Sequence, residues 1–175
     1  MGKSKISART RRLTAGAVMV ALGVLMLYLG ALIEVLDLSL AALASMLTVL
    51  AVIEFGGGMP WMIWAATSIL SLLLLPAKFP ALLYLLFAGL YPMVKAAFER
   101  LHYLLAWILK LSFFNTALLV LIVLCNWVFH LPDTGLALSL AVFALANLTF
   151  VLFDIALGRL ILLYLYKLRP RLRLF

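Results

Sequence analysis

The chain alternates between long apolar runs and short polar or proline-containing breaks. Apolar runs lie at about residues 13–33, 38–55, 60–75, 80–98, 104–130 and 136–158. Each approaches or exceeds the roughly 20 residues that a helix needs to cross hydrocarbon. The breaks are Glu34 and Asp37, then Gly56, Gly57, Gly58 and Pro60, then Pro76 to Pro80, then Glu99, Arg100 and His102, and finally His130 to Gly135. Glycine clusters and prolines do not continue a helix cheaply, so each break reads as a turn. Within the fourth run Pro92 removes a backbone hydrogen bond and frees the carbonyl of Ala88, which predicts a kink there. The pattern predicts an all-α integral membrane protein, one domain over residues 1–175. It has six transmembrane helices, short loops and a basic interfacial tail over 159–175. The first run is longer than the apolar part of a signal peptide and further spans follow, so it reads as a retained helix.

Composition agrees: 68% of the 175 residues are hydrophobic and 11% charged, against about 25% charged in a soluble domain. Soluble enzymes, nucleic-acid binders and disordered chains are thereby disfavoured. The net charge of +8 is a topology signal. Lys3, Lys5, Arg9, Arg11, Arg12, Lys167, Arg169, Arg171 and Arg173 lie near the two ends, and Lys95, Arg100 and Lys110 surround the fourth connection. The odd-numbered connections hold Glu34, Asp37, Lys78 and Asp133. By the positive-inside rule, both termini are expected to be cytoplasmic, which six spans satisfy. The expected location is the plasma membrane, crossed many times.

Charges at membrane depth are costly, so each needs a partner or a role. A turn near residue 132 or 133 places Lys110 and Asp154 at equal depth across the hairpin of spans five and six. The turn near residue 102 brings Lys95 to a similar depth. These residues, with Glu54, Glu99, Asn115, Asn147 and Arg159, form an expected polar cluster in the inner half of the membrane. It reads either as satisfied pairs that fix helix packing or as part of transport, proton movement or partner docking. In the outer half, Glu34, Asp37, Lys78, Tyr84, Asn126, Trp127 and His130 are the candidate substrate-binding residues, with Tyr28 and Asp133 nearby. The alternative is an interfacial aromatic belt with hydrated loop charges. Trp61 and Trp64 read as belt residues at the inner end of span three.

Small residues add a third feature. Ala17 and Ala21, with Gly16 and Gly23 nearby, and Ala41, Ala42, Ala44 and Ser45 would let another helix approach closely, inside the fold or from a partner. No catalytic constellation or phosphate loop appears, and His102 and His130 fall on opposite membrane sides. Cys125, the single cysteine, excludes an internal disulfide and a multi-cysteine metal site. No metal or cofactor is expected. Leu131 to Gly135 matches a sortase sorting motif, yet its Pro, Asp and Gly are what a tight turn uses.

The segment Arg11, Arg12, Leu13, Thr14, Ala15, Gly16, Ala17, Val18, Met19, Val20, Ala21, Leu22, within six short-looped helices that are basic at both ends, resembles the first helix of the substrate-binding S components of bacterial energy-coupling factor (ECF) transporters. The resemblance implies a non-enzymatic subunit that captures a vitamin or other micronutrient near the outer surface. It implies partners too: a transmembrane coupling subunit, which would meet Ala17 and Ala21, and ATPase subunits. The alternative is a non-catalytic membrane scaffold similar to the rod-shape-determining six-helix proteins, with the inner cluster and basic tail as docking surfaces. An intramembrane enzyme using Asp154 or Glu99 as an acid is disfavoured by the missing nucleophile and base.

Overall fold

A computed structural model describes residues 2–125 and 140–168, and all regular structure among them is helical. Helix α1 (Gly2–Leu32) passes through a single 3-10 turn (Glu34–Leu36) into α2 (Asp37–Glu54), followed by α3 (Met59–Leu74). The fourth span is composite: α4 (Phe79–Leu83), a π-helical turn (Tyr84–Ala88) and α5 (Tyr91–Phe98). Then come α6 (Tyr103–Val123) and α7 (Leu140–Leu163), which continues as a π-helical turn over Tyr164–Leu168. Among the described residues five helical segments are long and apolar enough to cross a membrane: Thr10–Leu32, Asp37–Glu54, Phe79–Phe98, Tyr103–Val123 and Phe143–Lys167. Met59–Leu74 is a shorter apolar helix. The protein is therefore a multi-pass membrane protein by the length and apolarity of its helices.

The chain divides into two compact units, Met1–Leu101 and His102–Phe175. In the first unit, local chemistry sets the helix ends. The N–H of Gly56 reaches back to the carbonyl of Ala51 at 3.2 Å, with Gly56 at φ 60°, a left-handed closure that glycine adopts without a Cβ clash. Pro60 occupies the first turn of α3, where its missing N–H would be unpaired anyway. Leu75 is extended at ψ 135°, as a residue before proline prefers. The ammonium of Lys78 then donates to the carbonyls of Leu72 and Leu75 at 2.9 and 2.7 Å, capping the end of α3 with a cation.

Helix α1 is divided lengthwise. Gly16, Gly23, Leu27 and Gly30 are buried, while Ala17 and Ala21 are exposed. The three glycines are spaced by seven, so they share one face. A Cβ on Gly16 would sit 3.2 Å from the Met59 methyl, and one on Gly23 would sit 3.1 Å from the Thr67 methyl. Glycine thus lets α3 press against the backbone of α1, as helices do where lipid supplies no hydrophobic drive. The core beside this seam is also built from small residues: Ala31, Ala41, Ala44, Ala81 and Ala88 surround Leu27, Leu75 and Tyr84.

The fourth span breaks ahead of Pro92. The N–H of Gly89 bonds to the carbonyl of Tyr84 at 2.8 Å instead of that of Leu85, and the indole of Trp64 donates to the Leu85 carbonyl at 3.1 Å. Pro92 itself lies in the first turn of α5, which proline tolerates well. Where a kink was expected at Pro92, the irregularity is a π-helical turn before it. Trp64, expected as a belt residue, is an internal donor to that turn; Trp61, 50% exposed, stands edge-on to it at 5.9 Å.

In the second unit α7 continues past residue 158, where the apolar run was expected to give way to an interfacial tail. Leu160 to Tyr166 is apolar and holds no proline or glycine, so nothing stops the helix at Arg159.

A Cβ on Gly89 would lie 2.6 Å from Cδ1 of Trp64 and 2.7 Å from Cε1 of Tyr84. Both rings are held in place, so Gly89→Ala is expected to cost about 1–3 kcal/mol. Thermal denaturation in detergent checks this, and an unchanged melting temperature would show that the two rings are free to shift.

Candidate functional site

The first unit carries a set of hydroxyl groups inside the bundle. Ser45 and Thr48 on α2, Thr67, Ser68 and Ser71 on α3, and Tyr84 on the π-helical turn are each at most 1% exposed. The spacing explains the shared burial: 45 and 48, and 67, 68 and 71, are positions that one helix face brings together. The phenol of Tyr84 and the hydroxyl of Thr48 share a hydrogen bond of 2.8 Å. Ser45 donates to the carbonyl of Ala42 at 2.7 Å. The hydroxyl of Thr67 lies near the phenol of Tyr84 without meeting hydrogen-bond geometry, and those of Ser68 and Ser71 also have no partner. Serine and threonine in helices commonly bond to the carbonyl four residues back. These three do not, and a buried unpaired hydroxyl costs roughly 1–3 kcal/mol.

The expected outer candidates are distributed as follows. Tyr84 belongs to this interior set and does not open outward. Lys78 is half-buried and committed to the end of α3. Glu34 stands in the 3-10 turn and Asp37 opens α2, half-buried. Asn126, Trp127, His130 and the segment Leu131 to Gly135 lie outside the described residues.

The expected inner cluster falls into the two units. In the first, the buried ammonium of Lys95 meets Oε1 of the exposed Glu99 one turn on, at 3.1 Å, and Glu54 ends α2, half-buried. In the second, Lys110 and Asp154 form a buried pair across α6 and α7, with Nζ 3.1 Å from Oδ2 and 3.3 Å from Oδ1. The ammonium also stands 5.4 Å from the centre of the Trp107 ring, within cation–π range. One turn along the hairpin Phe114 and Phe150 stack at 4.5 Å. Beyond them the amide of Asn147 donates to Oδ1 of Asn115 at 3.1 Å and to the carbonyl of Phe143 at 3.0 Å. These three rungs define one antiparallel register. Arg159 is exposed, so it is not part of the buried ladder. Among the described residues no three of His, Cys, Asp and Glu gather as metal ligands do.

No protein-family model, curated protein or solved structure matches the chain. The site is therefore read from its own chemistry.

Sequence reasoning missed Thr48, Thr67, Ser68 and Ser71. The signal was present, since these are polar residues at helical spacing within otherwise apolar runs. Hydroxyls cost little in a membrane helix when they bond to their own backbone, so the pattern alone does not distinguish a site from ordinary packing.

Removing one member of the Lys110–Asp154 pair strands a charge in a low-dielectric site. Lys110→Met or Asp154→Leu alone is expected to cost about 3–5 kcal/mol, and the double variant considerably less than their sum. Denaturation of the four proteins checks this. Additive losses would show that the two charges do not depend on one another.

Proposed function

We propose that the chain is the substrate-binding membrane subunit of an ECF-type uptake transporter, held in a bacterial plasma membrane with both termini in the cytoplasm. It hydrolyses nothing itself. The observation that carries this reading is the division of α1. Its glycine face is consumed by α2 and α3, so Ala17 and Ala21 are left on the outside of the unit. Small residues four apart on a lipid-facing surface offer a close seat to another helix. In the transporter reading that helix belongs to the coupling subunit, and ATPase subunits supply the energy. The cargo is a vitamin or other micronutrient.

A second reading has its own support. Lys78 is engaged as a helix cap and Tyr84 is interior, so two of the outer candidates do not line an open pocket. A non-catalytic membrane scaffold, similar to rod-shape-determining proteins, needs no such pocket and would recruit its partners through the charged inner surface.

The two readings separate in one experiment. Ala17→Leu with Ala21→Leu is expected to reduce co-purification of a coupling subunit and its ATPases at least tenfold, with helix content unchanged by circular dichroism. Association that survives both substitutions overturns the role of this face. Stabilisation of the wild-type chain by a protein partner but by no small molecule would favour the scaffold.

A further inference from the structure

We propose that the buried hydroxyls of the first unit bind a small, uncharged molecule rich in hydrogen-bond acceptors. The proposal rests on the transporter reading and locates its substrate site. Two independent features meet at this place. The first is the two unpaired hydroxyls of Ser68 and Ser71, with Thr67 beside them near the Tyr84 phenol, each at most 1% exposed. Polar groups at membrane depth need internal partners. Two donors on adjacent turns of one helix face, both without one, are complementary to a ligand that brings acceptors. The second feature is the broken fourth span. Binding sites in transporters are typically formed at discontinuous helices. Here the break begins at Tyr84, whose phenol is bonded to Thr48 and lies near Thr67.

The chemistry of the lining sets the ligand class. Serine, threonine and tyrosine side chains are neutral at physiological pH, so they offer hydrogen bonds but no counter-ion. A charged ligand taken to this depth would lose its hydration without ionic compensation. Carbonyl oxygens, ring nitrogens or ether oxygens satisfy hydroxyl donors with no such cost.

The position is suitable for capture. Ser71 precedes the end of α3 by three residues, and Tyr84 follows the start of α4 at Phe79 by five. At about 1.5 Å per residue, both lie within two turns of the Leu75 to Lys78 connection. In the proposed orientation that connection faces outward. The Lys78 ammonium bound to the Leu72 and Leu75 carbonyls closes the end of α3 above the hydroxyls.

The test is native mass spectrometry of the full chain extracted in mild detergent, comparing wild type with the triple variant Thr67→Val, Ser68→Ala, Ser71→Ala. The expected result is one adduct per wild-type chain, distinct in mass from lipid and detergent and uncharged when fragmented. Its occupancy should fall at least tenfold in the triple variant, with helix content preserved. If the triple variant does not fold, Ser68→Ala and Ser71→Ala are measured singly, and at least one should lose the adduct. Absence of any adduct from wild type, an ionic adduct, or equal occupancy in the variants overturns the proposal. So does a variant that melts higher than wild type with no adduct lost, because that is the behaviour of empty unpaired hydroxyls. Failure of the site is distinguishable from failure of the transporter reading. A wild-type chain that binds a coupling subunit without an adduct removes the site alone. A chain that keeps the adduct but associates with no such subunit removes the transporter alone.

Discussion

In hydrocarbon no water stands by to satisfy a polar group, so each backbone carbonyl, hydroxyl and charge must find its partner within the protein. The carbonyl of Leu85 shows the constraint at its sharpest. The π-helical turn diverts the Gly89 N–H to Tyr84, and the Leu85 carbonyl would be stranded without the Trp64 indole. That one bond ties α3 to the fourth span and permits the break. Gly89 then has to be glycine, because Trp64 and Tyr84 both pack where its Cβ would be. The Tyr84 phenol is delivered to Thr48 by the same turn, so the arrangement of the interior hydroxyls follows from a helix irregularity.

The two units meet the constraint by different means. In the second, among the described residues, the buried Lys110 is matched with Asp154 and the half-buried Asn115 with Asn147. The match fixes the register of α6 against α7 and leaves the interior electrically neutral. Such pairs specify geometry more than they add stability, since desolvation offsets much of the attraction. The first unit uses small residues for close approach and hydroxyls for polarity, and there the matching is incomplete.

Much of the architecture was legible in the sequence because the signals that define it are long or repeated. Apolar runs near 20 residues announce the helices, and Gly56, Pro60, Pro76 and Pro80 punctuate them. The Lys110 and Asp154 pairing was legible for a simpler reason: a turn expected near residue 132 or 133 would make residues equidistant from it neighbours in depth. Features that depend on rotation about a helix axis were harder to read. Gly16 and Gly23 appear beside Ala17 and Ala21 in the sequence, yet they lie on different faces, and only the third glycine at position 30 reveals which stripe is the internal seam. The π-helical turn was hidden because Pro92, the obvious breaker, sits where a helix accepts proline, and the rearrangement occurs before it at Gly89.

A polar interior that is fully paired has no reason to admit a ligand, because any newcomer must displace bonds already made. This disfavours the ion-paired α6 and α7 interior as a binding site, despite its charges. Unpaired hydroxyls have the reverse property. They raise the free energy of the empty state, so a ligand that satisfies them gains the full value of each bond without displacing an internal partner. The interior of α2, α3 and the broken fourth span is therefore better suited to recognition than the more conspicuous charges.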